Sequence, residues 1–328
     1  MENNLTDQKF LVNADVVARF KRLIDKKHLA HAYLFAGAAG TGKFQTALAI
    51  AKMANCLDFS PSGDGACNRC SNCLKMNAGA HPDAHIYESS FIEPIKIEQM
   101  RELLSQIKLR PFEGTKKVFI IKNVENLTLE AGNALLKTLE EPTINSLLLL
   151  TTTSVDKCLD TVVSRCHRVL FYPLSVATLT SRIGKYYDDL VPGQAHFLAA
   201  LSQGSLGKAR ELKESDIFKK RDEIVQYFIL EKNSDDYIKK ILADKNDTKE
   251  FLDVLLSWIR DSLLLKNGFK RDSLIHQEYA PSLENFSRQY TYPELEELYK
   301  QTVNMFKMLA ENLNVRVPLL VIKELLHG

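Results

Sequence analysis

Two hydrophobic rhythms run through the first half of the chain. Tyr33–Ala36, His85–Glu88, Lys117–Ile121, Leu147–Thr151 and Arg168–Phe171 read as short strands. The unbroken apolar run Val118 to Ile121 is the pattern of a strand covered on both faces of a parallel sheet. Between these runs, apolar residues recur three and four apart. Ala14–Lys27 carries Val16, Val17, Phe20, Leu23 and Ile24 on one face, and Lys43–Asn55 and Ile97–Leu109 are also helical in pattern. A further helix carries Ala131, Ala134, Leu135, Thr138 and Leu139; Thr128 is placed to cap it and Pro142 to end it. Strands alternating with helices of this length predict an α/β fold with a parallel sheet and helices on both faces.

After Phe171 the strand rhythm stops. Pro173 opens a stretch of short helices to about Leu212, punctuated by Pro192, Gly193, Gly204 and Gly207. From Lys213 onward the pattern is helical throughout, with one stripe of Leu252, Leu255, Leu256, Ile259 and Leu263 and another of Leu295, Leu298, Thr302, Met305, Phe306 and Leu309. The expected domains are therefore 1–172, 173–212 and 213–328. The single Trp258 reads as core, and the run Lys219-Lys220-Arg221 as a solvated helix face.

Composition narrows the classes. A chain of 328 residues, 45% hydrophobic and 26% charged, can bury a large core and divide into two or three domains. Its net charge of +2 supplies no strong field for gripping nucleic acid unaided. No run approaches the ~18 apolar residues of a membrane helix, and MENNLTDQKF lacks a secretory apolar core, so a cytoplasmic protein without membrane contact is expected.

Four of the six cysteines, Cys56, Cys67, Cys70 and Cys73, are clustered. In a reducing compartment that spacing reads as metal ligation before disulfides, and four thiolates suit a closed, structural zinc site with no open position for catalysis. The alternative is a set of free or redox cysteines in a Gly/Ser/Asn-rich loop. Cys158 and Cys166 read as small core residues.

A second candidate lies between the first strand and helix, where Gly37 to Phe44 reads GAAGTGKF. The phosphate-loop pattern uses glycines to let backbone N–H groups wrap phosphates, a lysine for charge and a hydroxyl for magnesium. Gly37, Gly40, Gly42 and Lys43 are candidate nucleotide contacts, but Phe44 stands where the hydroxyl belongs. The end of the Lys117–Ile121 strand, where a phosphate-loop ATPase holds an acidic pair, has Lys122 and Asn123. Two readings of Lys43 stand: nucleotide contact, and a solvated lysine at a relic loop. Thr151 to Ser154 are placed to sense a phosphate or to be ordinary strand-end residues. Arg165, in the SRC sequence Ser164 to Cys166, faces outward from its own loop and could serve only a neighbour, as an arginine finger does.

LAHAYLFAGAAGTGK, the cysteine module, IKIEQMREL, GTKKVFIIKN, NALLKTLEEP and SRC occur in an order that resembles delta-prime-type subunits of the bacterial DNA polymerase III clamp loader, within the AAA+ class. The resemblance covers nearly the whole chain, and NALLKTLEEP with SRC is its specific part. It implies a P-loop AAA+ domain with a zinc module, a helical lid, and a helical collar through which five subunits associate. Implied partners are gamma/tau ATPase subunits and the delta subunit, with the sliding clamp and primed DNA reached through the complex. Motor subunits carry Ser or Thr at Phe44, Asp-Glu at Lys122 and Asn123, and a nucleotide-sensing arginine at Gly207 of GSLGKAR; Arg210 lies nearly a turn too late to replace it.

Loss of those four features while SRC remains implies a subunit without ATPase activity that supplies Arg165 in trans. An alternative is a divergent ATPase using Lys43, with Thr41 or Thr46 reaching magnesium and Glu125 as the acid. A zinc-dependent nucleic-acid binder is a third, opposed by the near-neutral charge and the lack of aromatics around Cys67 to Cys73.

Overall fold

The computed structural model of the protein describes residues 10–89, 94–230 and 235–327; the first nine residues of the MENNLTDQKF segment lie outside them. The chain forms two compact units. One is the chain up to Pro173 together with Ser205–Gly207, and the other comprises Leu174–Gly204 and the chain from Lys208.

The first unit follows the alternating pattern. Helix α1 (Ala14–Asp25) is capped by the Asn13 side chain and precedes β1 (Ala32–Gly37), α2 (Lys43–Ala54) and the short α3 (Ser71–Asn77). Then come β2 (Ala84–Glu88), α4 (Ile97–Ile107) and β3 (Lys117–Lys122). Helix α5 (Leu129–Glu140), β4 (Ser146–Thr152), α6 (Asp160–Val163) and β5 (His167–Phe171) complete it. The strands form one parallel sheet in the order β2-β3-β4-β1-β5, with Phe35 opposite Thr151 on one side and Val169 on the other. Each expected strand is present, extended or shifted by a residue at its ends.

Strand side chains alternate between two cores. Val118, Ile120, Leu147 and Leu149 join Tyr33 and Phe35 under α1 and α2, while Phe119, Ile121, Leu148 and Leu150 join Leu34 beneath α4 and α5. Burial on both faces is why these strands read as continuous apolar runs. Helix α5 starts where expected, since Thr128 Oγ1 accepts the Ala131 N–H at 3.2 Å. Gly132 shares its buried face with Ala131, Leu135, Thr138 and Leu139, whereas Ala134 is half-buried.

The second unit is helical among its described residues: α7 (Val176–Tyr186), α8 (Pro192–Leu201), α9 (Leu206–Glu214, its first two residues counted with the first unit), α10 (Ile217–Ile224), α11 (Asp235–Ile241), α12 (Lys245–Lys266), α13 (Ala280–Gln289), α14 (Tyr292–Ala310) and α15 (Arg316–His327). Helix α12 packs along α13 and α14. It is buried on more than one face, so Phe251, Val254 and Trp258 fill its core, and the expected stripe members Leu256 and Leu263 are only half-buried. Trp258 is fully buried, as core.

The Lys219–Arg221 run departs in part from the solvated face expected of it: Lys219 is exposed, Arg221 is not. Arg221 is 4% exposed, lies 4.5 Å from the Phe197 ring centroid and 5.1 Å from that of Tyr279, and pairs with Glu278 at 2.7 Å. Aromatic faces and a carboxylate compensate the buried guanidinium, which a charge run in sequence does not disclose. Lys220 pairs with Asp247 at 2.7 Å and Glu250 at 2.6 Å.

Candidate functional site

At the carboxyl end of β1 the chain turns through Ala38–Thr41 into α2, where an open α/β sheet binds ligands. Gly42 begins the helix at φ 84°, and a Cβ there would lie 2.0 Å from the Leu11 carbonyl oxygen, so the turn requires glycine. Lys43 points back into the loop. Its Nζ donates to the carbonyls of Gly37 at 2.6 Å and Ala38 at 2.7 Å. Burial pushes its pKa down to about 8, against the opposing pull of Glu125, so the ammonium keeps its proton at neutral pH.

Both hydroxyls that could reach magnesium, those of Thr41 and Thr46, are engaged with backbone. Thr41 Oγ1 donates to the Ala38 carbonyl at 2.8 Å; Thr46 Oγ1 donates to Gly42 at 2.7 Å and accepts the Asn13 N–H at 2.9 Å. Where a magnesium-binding hydroxyl and acid would meet, the Lys122 ammonium lies 4.5 Å from the centre of the Phe44 ring and also pairs with Glu88. The neighbouring Asn123 is left-handed at φ 57°, and its side chain donates to the Ser89 carbonyl at 2.9 Å. The two positions thus place a cation over an aromatic face.

Glu125 stands closer to the chemistry than its place in the sequence suggests. One carboxylate oxygen accepts from the Thr153 N–H at 2.9 Å and hydroxyl at 2.6 Å, while the other is buried without a hydrogen-bond partner. Burial alone would raise its pKa; hydrogen bonds together, those from Thr153 the largest, outweigh burial and hold it below the ordinary value. Thr153 is therefore tied to Glu125, and Thr152 Oγ1 to the Ser154 carbonyl at 3.0 Å. Gly207 belongs to this unit too. Its N–H donates to the Gly40 carbonyl at 2.8 Å, and a Cβ on Gly207 would lie 2.8 Å from Gly40 Cα. No side chain fits there without displacing the loop; Arg210 instead pairs with Glu214 at 3.1 Å.

Arg165 follows the single turn of α6. Its Nε donates to Glu140 Oε1 at 2.8 Å and its Nη2 lies 2.6 Å from the same oxygen; Nη1 donates to the Thr161 carbonyl at 2.9 Å and reaches Ser164 Oγ at 3.4 Å. Glu140 is the last residue of α5 and was legible in sequence only as part of a helix end.

The cysteine module is a second centre. Cys56 lies just beyond α2, Cys70 caps α3 and Cys73 sits in its first turn. The four sulfurs all lie within 4.8 Å of one another. Zinc–sulfur bonds of about 2.3 Å place tetrahedral sulfurs about 3.8 Å apart, and Cys67 Sγ lies 4.0 Å from Cys73 Sγ. The Cys67 N–H points at Cys56 Sγ at 3.2 Å, and the Cys70 N–H at Cys67 Sγ at 3.4 Å. N–H groups of Arg69 and Cys70 bring the Cys67 pKa down to about 6, whereas burial raises that of Cys73. Donor type, number and spacing fit a zinc ion. Cys158 is buried in the sheet unit and Cys166 half-buried there, with burial pushing the Cys166 pKa up to about 12.

Sequence reasoning missed Asp83. Its buried carboxylate accepts the N–H groups of Phe112, Glu113 and Gly114 at 2.7 to 2.8 Å and fixes the loop before β3. An aspartate beside a strand that faces a glycine-containing loop was the available signal.

A parallel sheet in this order, with a glycine loop following β1 between β4 and β5 and helices on both faces, defines a P-loop fold of the AAA+ type. Residues 12–175 match the family described as DNA polymerase III, delta subunit, and residues 215–328 match its C-terminal family. The chain is 32% identical to DNA polymerase III subunit delta′ of Bacillus subtilis over 302 residues, 89% of each chain. It is 31% identical to the Pseudomonas aeruginosa delta′ subunit over 84% of this chain and 82% of that one. Identity to the B. subtilis tau subunit is 32% over 79% of this chain and 48% of the relative. The chain belongs to the delta-prime family of DNA polymerase III clamp-loader subunits.

Proposed function

We propose that this chain is a non-hydrolysing subunit of a clamp loader, acting on a neighbour's ATP through Arg165. The observation that carries the reading is the Lys122 ammonium over the Phe44 ring, where catalysis would need a hydroxyl, a carboxylate and magnesium. Lys43, which would meet the β- and γ-phosphates, is turned to its own loop carbonyls. Arg165 lies on the segment before β5, and a guanidinium suits charge developing on a transferring phosphoryl group.

In this reading residues 173–212 are the lid and 213–328 the collar of a pentamer containing gamma/tau ATPases and the delta subunit. The loader opens a sliding clamp and places it on primed DNA. Four cysteines hold a structural zinc, with no open position for chemistry.

The test is a loader reconstituted with its cognate subunits and assayed for DNA-stimulated ATP hydrolysis and clamp loading. Arg165→Ala is expected to slow the served site by a factor of about 10³ while assembly on gel filtration is unchanged. Arg165→Lys should rescue poorly, because a point charge lacks the guanidinium fork. Undiminished rates in Arg165→Ala would make the residue structural.

The second reading, a divergent ATPase, draws on the retained Lys43 and on the partnerless Glu125 oxygen near it. It requires ATP turnover by the purified chain alone, abolished by Lys43→Ala; absence of turnover removes it.

A further inference from the structure

We propose that Glu140 is a positioning residue that parks Arg165, so that the finger engages a neighbour's phosphate only by leaving this carboxylate. The proposal rests on the reading of Arg165 as a finger acting in trans.

A guanidinium has five N–H donors in a rigid fork. In Arg165 the Nε and Nη2 atoms converge on one oxygen of Glu140 at 2.8 and 2.6 Å, and Nη1 serves Thr161 and Ser164. One Nη2 N–H is left over. Full recognition of a phosphoryl group uses two parallel N–H bonds from one edge of the fork; Glu140 occupies the Nε/Nη2 edge, and Nη1 of the other edge is given to Thr161 and Ser164.

The position of Glu140 carries a second, independent indication. It ends α5, where the negative end of the helix dipole disfavours a carboxylate. Helix stability therefore gives no reason for this charge, whereas the arginine beside it does. The pair is also breakable: the side chains are 35% exposed for Arg165 and 51% for Glu140, and ion pairs this exposed are weak. An anionic phosphate from a neighbour can compete for the fork, and an empty or product-bound neighbour leaves it parked.

The test uses the reconstituted loader with clamp and primed DNA. Glu140→Gln keeps the shape and one acceptor oxygen but removes the charge. Turnover is expected to rise about two- to fivefold, the scale of an exposed ion pair. The rise should vanish in the Glu140→Gln/Arg165→Ala double variant, which should match Arg165→Ala alone. Glu140→Ala, a second route to the same loss, should act in the same direction, with unchanged melting and assembly confirming a folded subunit. Unchanged turnover in Glu140→Gln, with Arg165→Ala still impaired, would overturn the parking role and leave the finger standing. A fall as large as that of Arg165→Ala would make Glu140 a required support, also overturning it. Full activity in Arg165→Ala would remove the finger reading and this inference with it.

Discussion

At Gly207 the absence of one carbon decides how close two backbone segments come. The Gly40 Cα occupies the space a Cβ would need, and the Gly207 N–H is already given to the Gly40 carbonyl. Gly207→Ala is expected to cost about 1–3 kcal/mol, the usual scale of overpacking against backbone, in urea unfolding of the full chain. An unchanged midpoint would mean that the loop yields freely. The glycine was visible in sequence as a missing arginine; that it also braces the loop was not, because the contact joins positions far apart in the chain. The same holds for Lys122. Its identity announced a lost acid, but its stacking on Phe44 depends on β3 and α2 meeting at one end of the sheet. Glu140 was hidden in the same way, its partner Arg165 lying on another element.

Elements were read more easily than contacts. The strands of the sheet and the helices between them follow from apolar runs covered on both faces and from stripes three and four apart, so their ends moved by only a residue or two. The helical unit was harder. Helix α12 is surrounded, so Ser257 and Asp261 also lie buried, off the stripe that periodicity picks out. The cysteine module owes its shape to sulfur positions supplied by the end of α2, a loop and α3. One zinc per chain is expected on metal analysis, and Cys73→Ser should lose it. Chelation should also lower the thermal midpoint of the wild-type chain and leave that of Cys73→Ser unmoved.

Within the helical unit, response to acid should turn on two buried groups with opposite signs. Burial, with Arg221 and Arg260 nearby, brings the His276 pKa from 6.5 to about 3. The unfolded chain therefore binds this proton first, and stability is lost as pH falls from about 6.5 towards 3. Burial raises Asp261 from 3.8 to about 6, against the N–H groups of His276 and Ile275 that its carboxylate accepts. There the folded chain binds the proton first, and stability is gained as pH falls from about 6 to 3.8. The two largely cancel between those limits. Asp261→Asn retains an acceptor for the two N–H groups but removes the compensation. Its urea midpoint, measured from pH 7 to 4, should fall more steeply than that of the wild type; parallel curves would show that Asp261 titrates normally.

The ammonium of Lys122 over the Phe44 ring also has a historical consequence. Phe44→Thr alone strips the cation of its aromatic face, and Lys122→Asp alone sets a carboxylate against the negative face of a ring. Each single replacement is poorer than either complete arrangement. The two positions are therefore coupled: relatives should exchange both residues together or neither.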